Sequence, residues 1–477
     1  MLTQKIQSMK KLIVILAALS IFVLLNSCQK DQLQSPAPQE ELALNFQDLA
    51  QSLDLDVYGI AKELVATAEW PVEVEMAAGE VETRGIGVHN YYRQVIADDI
   101  AHYWFTVRIG SGPYSRIAIH RVVKEWAPNR PINTSKALFF QHGDAKDFVG
   151  MTLPGLNSPS TPRDFGMAAY LAKNDVDVWG IDQAWNLVPD NVTDYSFMAD
   201  WGLDKQQKDL RRAMGIARLA RYLTGSPNAR MILAGYSSGV ATGFAALNAE
   251  TQIGQGQRNI KGFIPIDLAI KTDDQKMLNT FLAEYYRTRE LLDNETYEDF
   301  IVFRMLGQLG KEDPDGESPI FPGFTNMQAA MFLGAGLIYG EPHSHFLAGM
   351  WENDFPVGFQ FLTVDQWLDF MQAAPLYEPA QFVNDYSVMM TGIEDSPFDD
   401  HFAEITVPIL NLAAYGGLGY PSEYAFSFIG STDVTHHIIQ LLPDDQGMLD
   451  FGHIDIFLAN NAEELAWQPL LEWIEEH

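Results

Sequence analysis

A serine between two glycines is the feature of this sequence with the clearest chemical meaning. The segment 235–239 reads Gly-Tyr-Ser-Ser-Gly, follows the apolar run 231–234 and precedes the small and apolar residues 240–247. A serine at a sharp strand-to-helix turn takes a strained backbone conformation, and the flanking glycines let the strand and the helix approach each other. The context predicts that Ser237 is a nucleophile whose hydroxyl is presented at the end of a buried strand.

A serine nucleophile needs a base that removes its proton and later delivers that proton to the leaving group. Imidazole suits this task, and the chain contains eleven histidines. His453 lies in the loop 450–455, between the last apolar run, 438–442, and a helical pattern over 462–473. Because a loop after the last strand can return to the nucleophile, we predict that His453 is the general base.

The oxyanion of an acyl-transfer reaction needs backbone N–H donors. The apolar run that ends at Gln141 is followed by His142 and Gly143. In this loop the N–H of Asp144 is a candidate donor, and the N–H of Ser238 is the second, since it directly follows the nucleophile at a helix start. The ring of His142 is expected to bridge loops rather than to react.

Three segments together resemble the α/β-hydrolase superfamily: the 235–239 turn, the His-Gly loop at 142–143 and the late Gly-His-x-Asp at 452–455. The loop 141–143 is similar to that of lipases and esterases in the superfamily. The resemblance covers about residue 137 to the C-terminus, apart from 271–400. It implies a mostly parallel, eight-stranded sheet, the order nucleophile, acid, histidine, and hydrolysis of an ester, amide or related acyl bond. It implies no cofactor.

The acid departs from the pattern of the superfamily, in which an Asp or Glu usually follows the strand after the cap. Here the run 407–414 leads into 415–419, which contains no acid. Asp433, between the last two apolar runs, is the first candidate. Asp267, directly after another run, occupies a position that some lipases of this architecture use, and Glu423 is the third candidate. The acid is expected to accept a hydrogen bond from the imidazole.

The rest of the chain predicts the α/β class. A helical pattern covers 42–70, and an antiparallel hairpin is predicted over 102–125. Short apolar runs, separated mostly by helical patterns, then follow at 136–141, 176–181, 230–234, 260–266, 407–413 and 438–442. Continuous apolar strands between helices are typical of a largely parallel sheet that helices cover on both faces.

The interval 271–400 breaks this alternation. It shows helical patterns and many large apolar side chains, but no convincing strand. We therefore predict a mainly helical cap inserted into a hydrolase core formed by 46–270 and 401–477. Part of the aromatic content is expected to line an apolar substrate pocket.

The N-terminus has the pattern of a bacterial export signal. Three lysines precede the apolar stretch 12–25, and the following Asn-Ser-Cys resembles a lipobox that ends at Cys28, the only cysteine. We predict that 1–27 is a signal peptide, that Cys28 is lipidated and anchors the protein to the membrane, and that 28–45 is a tether. The expected location is the outer membrane of the cell envelope, on its periplasmic or cell-surface face.

The net charge of −32 at pH 7 argues against nucleic-acid binding. An anionic substrate would need a local basic pocket, and the sequence does not locate one. The histidines at 343, 345, 436 and 437 lack the partners of a zinc site, so no metal is expected.

The sequence thus predicts a lipid-anchored serine hydrolase that cleaves a carboxylic ester of a small-molecule or lipid acyl substrate. The alternatives are a peptidase or aminoacyl hydrolase on the same fold, and an inactive hydrolase-fold lipoprotein that binds a ligand. Neither the substrate nor the oligomeric state follows from the sequence.

Overall fold

The computed structural model describes residues 46–72, 87–338, 344–420 and 423–477. The predicted signal peptide, Cys28 and the tether lie outside these ranges. Within them, no helix has both the length and the apolar composition that a membrane span requires.

The described ranges contain strands and helices in alternation over most of their length. The strands are β1 (Val88–Ala97), β2 (Ile100–Arg108), β3 (Arg116–Ala127), β4 (Arg130–Pro131), β5 (Ala137–Gln141), β6 (Asp177–Asp182), β7 (Met231–Tyr236), β8 (Ile260–Ile266), β9 (Glu298–Phe300), β10 (Gly349–Glu352), β11 (Phe355–Phe359), β12 (Tyr377–Pro379), β13 (Ile409–Ala414) and β14 (Val434–Ile439). The helices are α1 (Phe46–Leu53), α2 (Val57–Thr67), α3 (Phe148–Thr152), α4 (Met167–Lys173), α5 (Leu203–Leu223), α6 (Ser238–Thr251), α7 (Gln275–Asp293), α8 (Val302–Glu312), α9 (Asn326–Ala335), α10 (Val364–Gln372), α11 (Ala380–Thr391), α12 (Glu423–Phe426), α13 (Asp455–Leu458) and α14 (Gln468–Glu476).

One large sheet organises these elements. Its strand order is β1-β2-β3-β6-β5-β7-β8-β13-β14, and β4 pairs with β3. The series from β6 to β14 is parallel, whereas β1, β2 and β3 are antiparallel to their neighbours. The sheet is mixed and mostly parallel, as predicted, but within the described ranges it has ten strands rather than eight.

Helices cover both faces of the sheet, which is why its central strands are buried and mostly apolar. Buried residues of α1, α2, α5 and α6 pack on one face, and those of α3, α4, α13 and α14 pack on the other. Every residue of β5, β6, β7 and β13 is buried. Such strands cannot alternate apolar and polar residues, because neither face meets water.

The interval 271–400 differs from the prediction in one respect. Its described residues form the helices α7 to α11, but they also form two small antiparallel sheets, β10 with β11 and β12 with β9, that do not join the main sheet. The prediction that it contains no strand is therefore wrong. Strands of three to five residues are too short to show a period of two clearly.

Candidate active site

Ser237 lies at the turn between β7, which ends at Tyr236, and α6, which begins at Ser238. Its φ of 53° and ψ of −129° are strained for a residue with a side chain. The backbone N–H of Ser237 donates to the carbonyl oxygen of Ile266 at the end of β8, at 3.1 Å. The turn thus holds Ser237 at the carboxyl ends of the parallel strands, and its side chain is partly exposed.

Three glycines make this turn possible. A Cβ on Gly235 would lie 2.4 Å from the carbonyl oxygen of Gly239, and one on Gly239 would lie 2.5 Å from that of His142. A Cβ on Gly143 would lie 2.7 Å from Cβ of Ser237. The strand, the helix and the loop after β5 therefore meet at distances that only glycine permits.

The imidazole of His453 forms a buried hydrogen bond with Asp267. Nδ1 of His453 lies 2.6 Å from Oδ2 of Asp267, and the two side chains are 2% and 0% exposed. The ring of Tyr236, the residue before Ser237, stacks on the imidazole with centroids 4.5 Å apart. The structure thus brings His453 and Asp267 together next to the turn that carries Ser237.

The glycine-rich segment after β13 encloses the carboxylate of Asp267. Oδ1 accepts hydrogen bonds from the N–H groups of Ala414 and Gly419, at 2.9 and 3.0 Å, and Oδ2 accepts one from Leu418 at 3.0 Å. A segment without an acid therefore supplies backbone donors to an acid from the neighbouring strand. Together with His453, these donors fix the position of both carboxylate oxygens.

Asp433, the first candidate for the acid, does not contact His453. It directly precedes β14, and its carboxylate, 55% exposed, lies 3.5 Å from Nε2 of His477. The prediction is wrong because Asp433 lies at the amino end of a parallel strand, whereas the site lies at the carboxyl ends. Glu423 begins α12 and is exposed to solvent. Of the three candidates, Asp267 is the one that pairs with His453.

Because the segment 416–419 packs closely against Asp267, a single added methyl group is expected to have a large effect on kcat. A Cβ on Gly417 would lie 2.0 Å from Oδ2 of Asp267, so Gly417→Ala is expected to displace the carboxylate and lower kcat by about 100-fold. Gly256→Ala, at a position where a Cβ would meet nothing within 4 Å, is the matched control. Steady-state ester hydrolysis by the two variants and the wild type measures the difference. Equal rates in all three proteins would contradict the role given to this loop.

His142 bridges loops, as predicted. Its Nδ1 lies 2.8 Å from the carbonyl oxygen of Gly143, and its Nε2 lies 3.1 Å both from the backbone N of Gln183 and from Nδ2 of Asn186. Burial lowers the pKa of His142, and these contacts fit a neutral ring with its proton on Nδ1. The ring holds the Gly143 carbonyl and so orients the loop that leads to Asp144.

The two predicted oxyanion donors lie on the elements that flank Ser237. Ser238 is the first residue of α6, where helix geometry gives the N–H no partner within the helix. Asp144 follows Gly143, where an added Cβ would lie 2.7 Å from Cβ of Ser237. Neither backbone N–H donates a hydrogen bond to any residue of the described ranges.

The side chain of Asp144 makes a contact that the sequence did not predict. Its Oδ2 accepts a hydrogen bond from the hydroxyl of Tyr386 in α11 at 3.0 Å. Burial raises the pKa of Asp144, and it also raises the pKa of Glu378 in β12, whose carboxyl the negative charge of Asp144 affects in the same direction. The oxyanion loop is thereby joined to the interval 271–400.

A second segment of this interval lies inside the site. The backbone N–H of His453 donates to the carbonyl oxygen of His345 at 3.0 Å, and that of Ile454 donates to Phe346 at 2.8 Å. On its other side, the N–H of His345 donates to the carbonyl oxygen of Gly416 at 2.9 Å. His345 and Phe346 therefore connect the loop that carries His453 to the glycine-rich segment that encloses Asp267.

No protein-family model matches the sequence, and no curated protein matches it. The structure is similar to several solved structures. They include a "putative lipase" from Sulfolobus solfataricus (TM-score 0.54, 16% identity, 81% of this chain and 99% of that chain covered), a thermophilic esterase from Thermogutta terrifontis (0.36, 12%, 78% and 97%) and a mutant of the rice cell wall degrading esterase LipA from Xanthomonas oryzae (0.40, 14%, 79% and 90%).

Of these three, the Sulfolobus solfataricus protein alone has a TM-score above 0.5, and at 16% identity the similarity concerns the fold. This similarity agrees with the large, mostly parallel sheet. The chain has the α/β-hydrolase fold.

Proposed function

We propose that this protein is a serine hydrolase that cleaves a carboxylic ester through a triad of Ser237, His453 and Asp267. The observation that carries the proposal is the strained Ser237 directly after Tyr236, whose ring stacks on a buried imidazole that a carboxylate holds at Nδ1. Backbone strain in a residue with a side chain is retained where the surrounding structure imposes it, and such positions cluster at active sites.

The first half of the reaction forms an acyl-enzyme. Oγ of Ser237 attacks the carbonyl carbon while its proton passes to Nε2 of His453, and Oδ2 of Asp267 stabilises the resulting imidazolium through Nδ1–H. The carbonyl oxygen becomes an oxyanion that the N–H groups of Asp144 and Ser238 stabilise, each by about 3 kcal/mol. The C–O bond then breaks, and the alcohol leaves with the proton from Nε2.

The second half regenerates the enzyme. A water molecule attacks the acyl carbon and gives its proton to Nε2 of His453. The bond between the acyl carbon and Oγ then breaks, and Ser237 recovers its proton from the imidazolium. The products are a carboxylic acid and an alcohol, and no cofactor takes part.

The test compares ester and amide substrates with the same acyl group. We expect the protein without residues 1–28 to hydrolyse p-nitrophenyl esters and to leave the matching p-nitroanilides uncleaved, with a Ser237→Ala background subtracted. Faster cleavage of anilides would favour the peptidase alternative. A folded protein that cleaves neither would contradict the hydrolase proposal and favour a ligand-binding protein.

We also propose that the chain is anchored through a lipid on Cys28 in the outer membrane. The support is the charged and apolar pattern of 1–27 followed by the single cysteine. When the full chain is expressed in a Gram-negative host with radiolabelled palmitate, Cys28→Ser is expected to abolish labelling and to release the protein from the membrane fraction. Unchanged membrane association without label would refute the anchor.

A further inference from the structure

Lys146 is a buried lysine that the proposed reaction does not use. It lies in the loop between β5 and α3, and it is 3% exposed. Its Nζ lies 3.6 Å from the ring centroid of Phe370 in α10 and 4.5 Å from that of Phe303 in α8. In the part of the chain that the structure describes, Nζ has no hydrogen-bond partner. Two aromatic rings of the interval 271–400 therefore enclose an amine that makes no hydrogen bond within the described ranges.

Such an amine is unfavourable for the fold alone. A lysine is almost never fully buried unless it is paired, and a buried polar group without a partner calls for an explanation. Asp147 is the acid that acts on Lys146 most directly, but Oδ1 of Asp147 caps α3 by accepting from the N–H of Gly150. Burial lowers the pKa of Lys146 well below its usual range. The rings attract a cation through their faces, but they supply no acceptor for its hydrogens.

The position of Lys146 connects it to the reacting centre. Three residues earlier, a Cβ on Gly143 would touch Cβ of Ser237 at 2.7 Å, and three peptide units span at most about 11 Å. The ring of Phe303 contacts that of Phe346 with centroids 5.4 Å apart, and Phe346 in turn lies 6.0 Å from the imidazole of His453. The amine is thus two aromatic rings away from the general base.

We propose that Lys146 binds a carboxylate of the substrate, so that the enzyme selects esters that carry a negative charge. The inference rests on the proposed ester hydrolysis and adds the substrate class to it. Because the net charge of −32 repels anions at long range, selectivity for an anionic ester requires a local cation. A bound carboxylate accepts hydrogen bonds from the ammonium and supplies the partner that Nζ lacks. Where the amine was neutral, binding takes up one proton.

The kinetic test uses two pairs of esters that differ in a carboxylate. The first pair is p-nitrophenyl valerate and the p-nitrophenyl monoester of glutaric acid, with the charge on the acyl arm. The second is phenyl butyrate and 4-carboxyphenyl butyrate, with the charge on the leaving group. Lys146→Met keeps the apolar stem, and it is expected to lower kcat/KM for the anionic member of one pair by about 10- to 100-fold, with the neutral member unchanged.

Two outcomes would overturn the inference. A parallel loss for charged and neutral esters would mean that Lys146 only supports the fold, and no loss for either anionic ester would mean that it binds no substrate carboxylate. Reaction of Lys146→Met with a neutral fluorophosphonate at the wild-type rate establishes that the variant is folded and its site intact.

A binding experiment separates this inference from the proposed function. Glutarate is titrated by calorimetry into Ser237→Ala and into the double variant Ser237→Ala/Lys146→Met. Binding to the first and at least tenfold weaker binding to the second is the expected result, and it would support the site even if the wild type hydrolysed no ester. Equal binding to both, or to neither, would refute the carboxylate site whatever the activity.

Discussion

Asp267→Asn is expected to lower kcat for ester hydrolysis by about 10,000-fold with little change in KM. The amide cannot stabilise the imidazolium that forms when His453 takes the serine proton, and it can donate to Nδ1 and so hold the ring in the wrong tautomer. Steady-state rates on a p-nitrophenyl ester measure the effect, and circular dichroism checks that the fold is retained. The loss should fall on kcat because the interaction strengthens in the transition state.

Asp433→Asn is the matched control for this experiment. Asp433 has the same side chain, but it lies exposed at the amino end of β14 beside His477, so its replacement is expected to leave kcat and KM unchanged. If Asp433→Asn lost activity and Asp267→Asn did not, the assignment of the acid would be wrong.

Ser237→Ala and His453→Ala are each expected to lower kcat by about a million-fold, and the double variant should lose no more than either single variant. Nucleophile and base act as one unit, since removal of either leaves only binding and oxyanion stabilisation. Initial rates at high enzyme concentration measure the residual activity. Losses that multiply in the double variant would show that the two residues act independently.

The positions of Ser237 and His453 could be predicted because each depends on a short segment in a clear context. Gly235 and Gly239 around Ser237 specify a turn that few other residues allow, and the helix after it follows directly. His453 follows the last apolar run, and a loop after the last strand can return to the turn at Ser237. Local sequence therefore determines the element that carries each group.

The contact between Asp267 and His453 could not be predicted in the same way, because it depends on how three segments meet in space. Asp267 and Asp433 both border strands, but Asp267 follows β8 and Asp433 precedes β14. In a parallel sheet only the residues that follow the strands meet at the edge where ligands bind. The glycines of 416–419 were a second signal, since a loop rich in backbone donors suits a carboxylate from a neighbouring strand.

Other features left no usable signal in the sequence. β1 was not predicted, since much of this edge strand is exposed and its apolar and polar residues do not alternate regularly. Neither Glu378 nor Lys146 belongs to a recognisable sequence motif. Their burial depends on elements that are distant in the chain and pack against them. The insertion of His345 and Phe346 between the acid loop and the histidine loop is likewise a tertiary contact between segments far apart in the chain.

The most direct test of the proposed triad is covalent labelling with a fluorophosphonate followed by peptide mapping. The protein without residues 1–28 is expected to take up one equivalent, located on the peptide that contains Ser237. The label should be absent from Ser237→Ala and should form far more slowly in Asp267→Asn, while Asp433→Asn should label at the wild-type rate. Label on another residue, or undiminished labelling of Ser237→Ala, would contradict the assignment of Ser237 as the nucleophile.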